Sequence, residues 1–256
     1  MSPCAIITGA SRGLGLEYAR ALSKQGYSLG IIARDRSRLE RAAKELSGSG
    51  KVVYEVGDAT DPAAMRRLVD RTESELGPVT AMIANAGVWG PIGKTWTLEP
   101  EKWWADFANN VKAPLVASTA ILPKMVERNE GRVILISAMA GTFRWPMCSS
   151  YSASKAAVNK LAENIAFELA RDSKVKIFSY YPGFSSVGIT EQADTILKTS
   201  ADPDVQKTVK PILQGIAAKR TTPIEKSVQG LMQLLSGKFD QKSGSYLSVD
   251  DALKTS

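Results

Sequence analysis

The chain has 256 residues, 44% hydrophobic and 23% charged, which is the composition of a folded globular protein and excludes disorder. Two cysteines, Cys4 and Cys148, and no histidine exclude a disulfide framework, a zinc site of His and Cys ligands and any histidine-based triad, so no metal site is expected. The formal net charge is +7, but Lys and Arg are spread among acids along the chain, so no nucleic-acid partner is expected.

Acid–base work must then fall to Tyr, Lys, Asp or Glu. No stretch approaches the roughly 18 uninterrupted apolar residues of a membrane span, so no membrane partner is expected. Met1-Ser2-Pro3-Cys4 leads directly into a strand pattern, without the basic head and apolar core of a signal peptide. The expected location is cytoplasmic.

Ala5-Ile6-Ile7 reads as a buried strand. It enters the turn Gly9-Ala10-Ser11-Arg12-Gly13-Leu14-Gly15, after which a helical pattern runs to about Gly26. Glycines between a strand and a helix offer backbone N–H groups and a positive helix end to a phosphate. Their other reading is a plain tight turn. Residues 28–33 read as a second strand ending at Ala33, with Arg34 next. Where many dinucleotide sites carry an acid for the ribose 2′-hydroxyl, a guanidinium suits a 2′-phosphate, and Arg12 adds a second positive charge. NADP is therefore expected over NAD. Alternatively, Arg34, Arg36 and Arg38 coat a helix start.

The alternation continues. A helix is expected from Arg36 to about Leu46, closed by Ser47-Gly48-Ser49-Gly50, and a strand from Val52 to Val56 ends at Gly57-Asp58-Ala59. Asp61-Pro62 caps a helix to Leu76. Val79 to Ala84 is a strand leading into Asn85-Ala86-Gly87, and residues 91–100 are a loop. Residues 101–128 are helical in composition, with Pro114 and Pro123 expected at bends or ends. Residues 132–137 form a buried strand, and the Tyr151 helix runs to about Arg171. Residues 175–180 are a strand before Pro182-Gly183. The pattern weakens over 184–222, which is read as a mobile lid or substrate-facing segment. A helix at 224–235 and a strand at 244–249 close the chain. No linker or repeat interrupts the order, so residues 1–256 are expected to form one α/β domain with a doubly wound parallel sheet covered on both faces. Ligands of such sheets sit beyond the carboxyl ends of the strands, where the Gly-rich turn, Arg34, Asp58, Asn85, Ser137 and Pro182-Gly183 all fall.

Tyr151 and Lys155 are four residues apart and share a helix face. A phenol has a pKa of roughly 10, and a nearby ammonium favours its anion, so the pair can work as a tuned acid or base. The alternative is a surface tyrosine and a solvated lysine.

In sum the chain resembles the short-chain dehydrogenase/reductase family over nearly its full length. Residues 8–15 are similar to the family's TGxxxGxG cofactor turn, Asn85-Ala86-Gly87 to its NAG element and Tyr151-x3-Lys155 to its YxxxK. Asn110 sits at the family's helix asparagine, Pro182-Gly183 at its PG, and residues 245–250 resemble its closing strand. The resemblance implies a Rossmann-like seven-stranded sheet and a nicotinamide cofactor. It implies that Tyr151 donates a proton to a carbonyl oxygen. Lys155 would lower the phenol pKa and hold the nicotinamide ribose, and Asn110 would anchor a water. It further implies cofactor contacts at Gly9, Ser11, Arg12, Gly13, Leu14, Gly15, Arg34, Asp58, Ala59, Asn85, Ala86, Gly87, Pro182 and Gly183. Arg12 and Arg34 match the NADP-preferring subgroup, and members are often homodimers or homotetramers.

Two positions depart from the family. Its usual serine, thirteen residues before the tyrosine, is here Ala138, next to Ser137. Neighbouring side chains on a strand face opposite ways, so Ser137 substitutes only if the backbone turns at the strand end; Ser149 and Ser150 are the other candidates. A frequent threonine after the PG is here Val187, beside Ser186. The function read from the sequence is an NADPH-dependent oxidoreductase passing hydride to a carbonyl, or a related C=N or C=C, of a small molecule. Trp89, Trp96, Phe143, Trp145 and Phe184 point to a bulky apolar substrate, or else to core or dimer packing. The Ala138 departure keeps two alternatives open: non-redox chemistry such as cyclisation, isomerisation or elimination, and cofactor binding without turnover.

Overall fold

A computed structural model describes residues 2–48, 50–187 and 189–254. Met1, Ser49 of the glycine–serine closure and Gly188 of the 184–222 segment lie outside the described residues. Seven parallel strands form one sheet: β1 (Cys4–Thr8), β2 (Ser28–Ala33), β3 (Val52–Val56), β4 (Val79–Ala84), β5 (Gly131–Ile136), β6 (Val175–Tyr181) and β7 (Tyr246–Ser248). Their spatial order is β3-β2-β1-β4-β5-β6-β7. The order reverses between β1 and β4, and a crevice opens at the carboxyl ends of strands at such a switch point. The β1–β4 register shifts once, between Cys4 and Ala5; beyond the shift Ile7 lies opposite Ile83 on β4, and Thr8 lies opposite Ile32 on β2. The expected Rossmann-like doubly wound sheet is the fold observed.

Side-chain alternation along β1 splits the core into two layers. Ala5 and Ile7 pack with Tyr18 and Leu22 of α1 (Gly13–Lys24), Leu39 of α2 (Arg36–Leu46) and Leu231 of α8 (Ile224–Leu235). Cys4 and Ile6 face the other way. They join Met65 and Leu68 of α3 (Pro62–Leu76), Ile121 of α4 (Pro100–Glu127) and Val158 of α5 (Ser149–Glu168). Helix starts follow the sequence signals. Asp35 accepts from the Arg38 N–H, and Asp61, ahead of Pro62, accepts from the Ala63 N–H.

Several boundaries differ from expectation. Pro114 and Pro123 lie inside α4, which continues through both; packing over β4, α3 and α5 offsets the lost backbone bonds. The segment 184–222 contains two helices, α6 (Ile189–Thr199) and α7 (Pro203–Ala217), with Asp202 capping α7. Their apolar faces, with Ala193, Val205, Val209 and Ile212, pack with Trp89 and Cys148 in a cluster apart from the sheet. Strand β7 is shorter than expected, because a Ser248–Asp251 capping box starts α9 (Val249–Leu253) immediately after it. Among the described residues no helix is long and apolar enough to cross a membrane.

Candidate active site

The glycine turn is shaped by close approach. Gly9 has φ +68°, and a Cβ on Gly15 would lie 2.4 Å from the Gly9 oxygen and 2.6 Å from Asn85 Nδ2. Side chains are thus kept off the strand-to-helix turn, whose helix end then faces open space. Thr8 Oγ1 accepts from the N–H groups of Asn85 and Ala86, and Asn85 Nδ2 donates to the Thr8 carbonyl. The two loops at the switch point are therefore tied to each other. Gly183 has φ +89°, and its missing Cβ leaves room for Thr222.

A cleft of about 550 Å³ runs along this edge of the sheet. Gly9, Ser11, Arg12, Gly13 and Leu14 line one end, with Arg34, Asp58 and Ala59 beside them. Asn85, Ala86 and Gly87 line its middle, and Tyr151, Lys155, Pro182 and Gly183 the other end. A dinucleotide fits this donor set: a glycine cradle a Cβ would fill, cations at one end, and a phenol with an amine at the other. Arg34 Nη1 lies 3.8 Å from Asp58 Oδ2, and Asp35 is held by Arg38 at 3.3 Å.

Tyr151 and Lys155 share a face of α5, and Lys155 Nζ sits 5.6 Å from the Tyr151 ring centre. Lys155 is buried and donates to the Ile136 carbonyl at 2.9 Å. Burial lowers its pKa to about 8, against a rise from the Asp106 charge. The Tyr151 phenol moves the opposite way from expectation. Burial, with Asp106, Cys148 and Tyr181 adding, pushes it above its ordinary value. Desolvation of the anion outweighs any gain from the lysine, whose ammonium is itself desolvated.

Asn110 is fully buried on α4. Its Oδ1 accepts from the Val88 N–H at 2.8 Å, while Nδ2 donates to the Val88 carbonyl at 2.9 Å and to Ser154 Oγ at 3.2 Å. The side chain clamps the loop after β4 to α5.

Ser137 is placed differently from the expectation of a substitute hydroxyl. The backbone stays extended through Ala138 (φ −148°, ψ 160°), so strand alternation continues past β5. The Ser137 hydroxyl accordingly donates to Asn159 Oδ1 at 2.6 Å, on the body of α5. The other candidates are also engaged: Ser149 Oγ accepts from Trp103 Nε1 at 2.8 Å, and Ser150 Oγ donates to Asp106 Oδ2 at 2.6 Å. Ser137 and Ala138 both line the cleft. Sequence reading missed Asp106; its only signal was a lone acid four residues before Asn110, among Trp103, Trp104 and Phe107.

Beyond Tyr151 the cleft is walled by Trp89, Trp145, Phe184, Val187 and Ile212. Trp89 and Ile212 belong to a third apolar cluster with Cys148, Ala193, Val205 and Val209, joining α6 and α7 to the wall beside Tyr151. Trp89 N–H donates to Gln192 on α6. Trp96 and Phe143, expected in the same wall, are exposed instead, at 82% and 64%.

A parallel sheet with a glycine cradle, and a tyrosine–lysine pair in one cleft at its switch point, defines a Rossmann-like dinucleotide-binding enzyme. The short chain dehydrogenase family profile matches residues 3–197, and the chain belongs to that family. A short chain dehydrogenase of Pseudocercospora fijiensis is 33% identical over 230 residues, 88% of this chain and 72% of the relative. The crystal structure of NAD+-bound xylitol dehydrogenase superposes with a TM-score of 0.84 at 22% identity, over 96% of each chain. That of an actinorhodin polyketide ketoreductase variant with NADPH gives 0.84 at 23%, over 99% of this chain and 98% of the other. At such identities the two structures speak for the fold. The protein is an oxidoreductase of the short-chain dehydrogenase/reductase type.

Proposed function

We propose that the protein is an NADPH-dependent reductase that delivers hydride to a carbonyl, or a related C=N or C=C group, of a bulky apolar molecule, with Tyr151 as general acid. The observation that carries this reading is the single cleft shared by the glycine turn, Arg34, Tyr151 and Lys155. The bound nicotinamide would supply the hydride. Arg12 and Arg34, with no acid at Ala33, favour a 2′-phosphate. The raised phenol pKa keeps the proton on Tyr151 near neutral pH, as a donor requires. Lys155 would hold the nicotinamide ribose, Asn110 would support a water next to the pair, and Asp58, Ala59, Pro182 and Gly183 would contact the cofactor. Trp89, Trp145 and Phe184 would select apolar bulk, with residues 184–222 as the lid over it. A cytoplasmic homodimer or homotetramer of one domain completes the proposal. Replacing Tyr151 by Phe should abolish NADPH consumption with an accepted substrate; an unchanged rate removes Tyr151 as the acid.

A second reading is favoured by Ala138 and the Asn159 bond of Ser137. Without a second donor at the reacting oxygen, the fold would host a cyclisation, isomerisation or elimination, or bind cofactor without turnover. Product mass separates these, since only reduction adds two hydrogens.

A further inference from the structure

Asp106 is 6% exposed, and it is the carboxylate that acts on the buried Lys155. It lies one helical turn before Asn110 on α4, and its Oδ2 accepts from Ser150, the residue before Tyr151. Asn110 in turn donates to Ser154, the residue before Lys155. Two rungs, Asp106–Ser150 and Asn110–Ser154, therefore join α4 to α5 on either side of Tyr151. The loop after β4 is built around the first rung. A Cβ on Gly90 would lie 2.1 Å from the Asp106 carboxyl carbon, so the carboxylate packs on bare backbone. Its Oδ1 is buried with no hydrogen-bond partner among the described residues.

A buried carboxylate with one unpartnered oxygen is costly, and an apolar side chain of similar size would stabilise the fold more. We propose that Asp106 is a positioning residue for the Tyr151–Lys155 pair: its buried carboxylate holds the first turn of α5 through Ser150, the rung on one side of Tyr151 that Asn110–Ser154 matches on the other. The groups facing it are few. Cys148, Ser150, Tyr151 and Lys155 come from α5 and its start, and Gly90 from the loop. Around Lys155, β5 contributes the Ile136 carbonyl, which accepts its proton bond. The Asp106 charge raises the affinity of both Lys155 and Tyr151 for protons, in the first case against desolvation and in the second alongside it. Burial raises Asp106's own pKa, and the Ser150 hydroxyl and Lys155 oppose that rise.

The inference rests on the reading of Lys155 as partner of the phenol, but its test needs neither cofactor nor substrate, so the two fail separately. The full-length protein is trace-labelled with acetic anhydride across pH, and the extent at Lys155 is read by peptide mass spectrometry. The wild-type midpoint is expected near 8. Asp106→Asn keeps an acceptor for Ser150 without the charge, and should lower the midpoint by about one pH unit. Asp106→Leu, which removes the charge and leaves the Ser150 hydroxyl without its partner, should do the same. Ser150→Ala breaks the rung and removes one bond that favours the Asp106 anion, so it should lower thermal stability and move the Lys155 midpoint by less than Asp106→Asn does. A midpoint in either folded Asp106 variant equal to wild type overturns the proposal. So does a fall in Ser150→Ala as large as that expected for Asp106→Asn, and this arm decides alone should both Asp106 variants fail to fold.

Discussion

Lys155 Nζ donates to the Ile136 carbonyl at the carboxyl end of β5, at 2.9 Å. The amine is thereby drawn out of water and fixed beneath the Tyr151 ring. The folded chain holds its proton to about pH 8, against the ordinary value of 10.5. Between those values the unfolded chain binds more protons, so stability rises with pH across that window. Below it the full cost of the buried charge is present, and a shift of this size is worth a few kcal/mol. Lys155→Met should therefore melt higher than wild type at pH 7 while losing activity. The gap should narrow as pH rises through the window. Thermal denaturation of the two proteins over that range checks the sign.

Asn110 satisfies both backbone groups of Val88 from within the core. Asn110→Leu strands a buried N–H and a buried C=O together. The expected loss is about 2 kcal/mol or more in urea unfolding. The loop after β4 should loosen as well, seen as weaker NADPH binding in a fluorescence titration.

Gly15 has no space for a methyl group, since the Gly9 oxygen and Asn85 Nδ2 both stand closer than 3 Å to its Cβ position. Gly15→Ala must push the turn away from the loop after β4. Overpacking of this kind costs about 1–3 kcal/mol. Dinucleotide affinity should fall at least tenfold, measured by the same titration. An unchanged affinity would show that the cradle is not the phosphate site.

Ser137 and Ala138 both line the cleft, but the Ser137 hydroxyl is spent on Asn159. Ala138→Ser should put a hydroxyl where a reacting carbonyl oxygen would sit. A positioned donor there can be worth about 2.7–4 kcal/mol. Steady-state kcat for a reducible ketone should rise tenfold or more. Ser137→Ala should instead cost about 1 kcal/mol of stability and leave kcat unchanged.

Arg34 is exposed at the cleft end opposite the tyrosine, with Asp58 at 3.8 Å. A charge-assisted bond to a 2′-phosphate contributes roughly 1.5–3 kcal/mol. Arg34→Glu should weaken NADPH about ten- to hundred-fold and leave NADH unchanged or tighter. Equal losses for both nucleotides would contradict the 2′-phosphate assignment.

The sheet, its helices and the edge where chemistry gathers are legible in the amino-acid order. Those signals are local: apolar runs such as residues 133–136, the Asp61-Pro62 cap, the glycines of the first turn, and one helical turn between Tyr151 and Lys155. Tertiary structure decided what depends on direction and burial. Ser137 and Ala138 both line the cleft, yet only the folded chain shows that the Ser137 hydroxyl is taken up by Asn159 on α5. The phenol's shift runs against the spacing for the same reason. Spacing shows that an ammonium is near, but desolvation and the charge of Asp106 come from segments packed in space. Asp106 was invisible because a lone acid on a helix reads as solvated until Gly90 and Ser150 close over it.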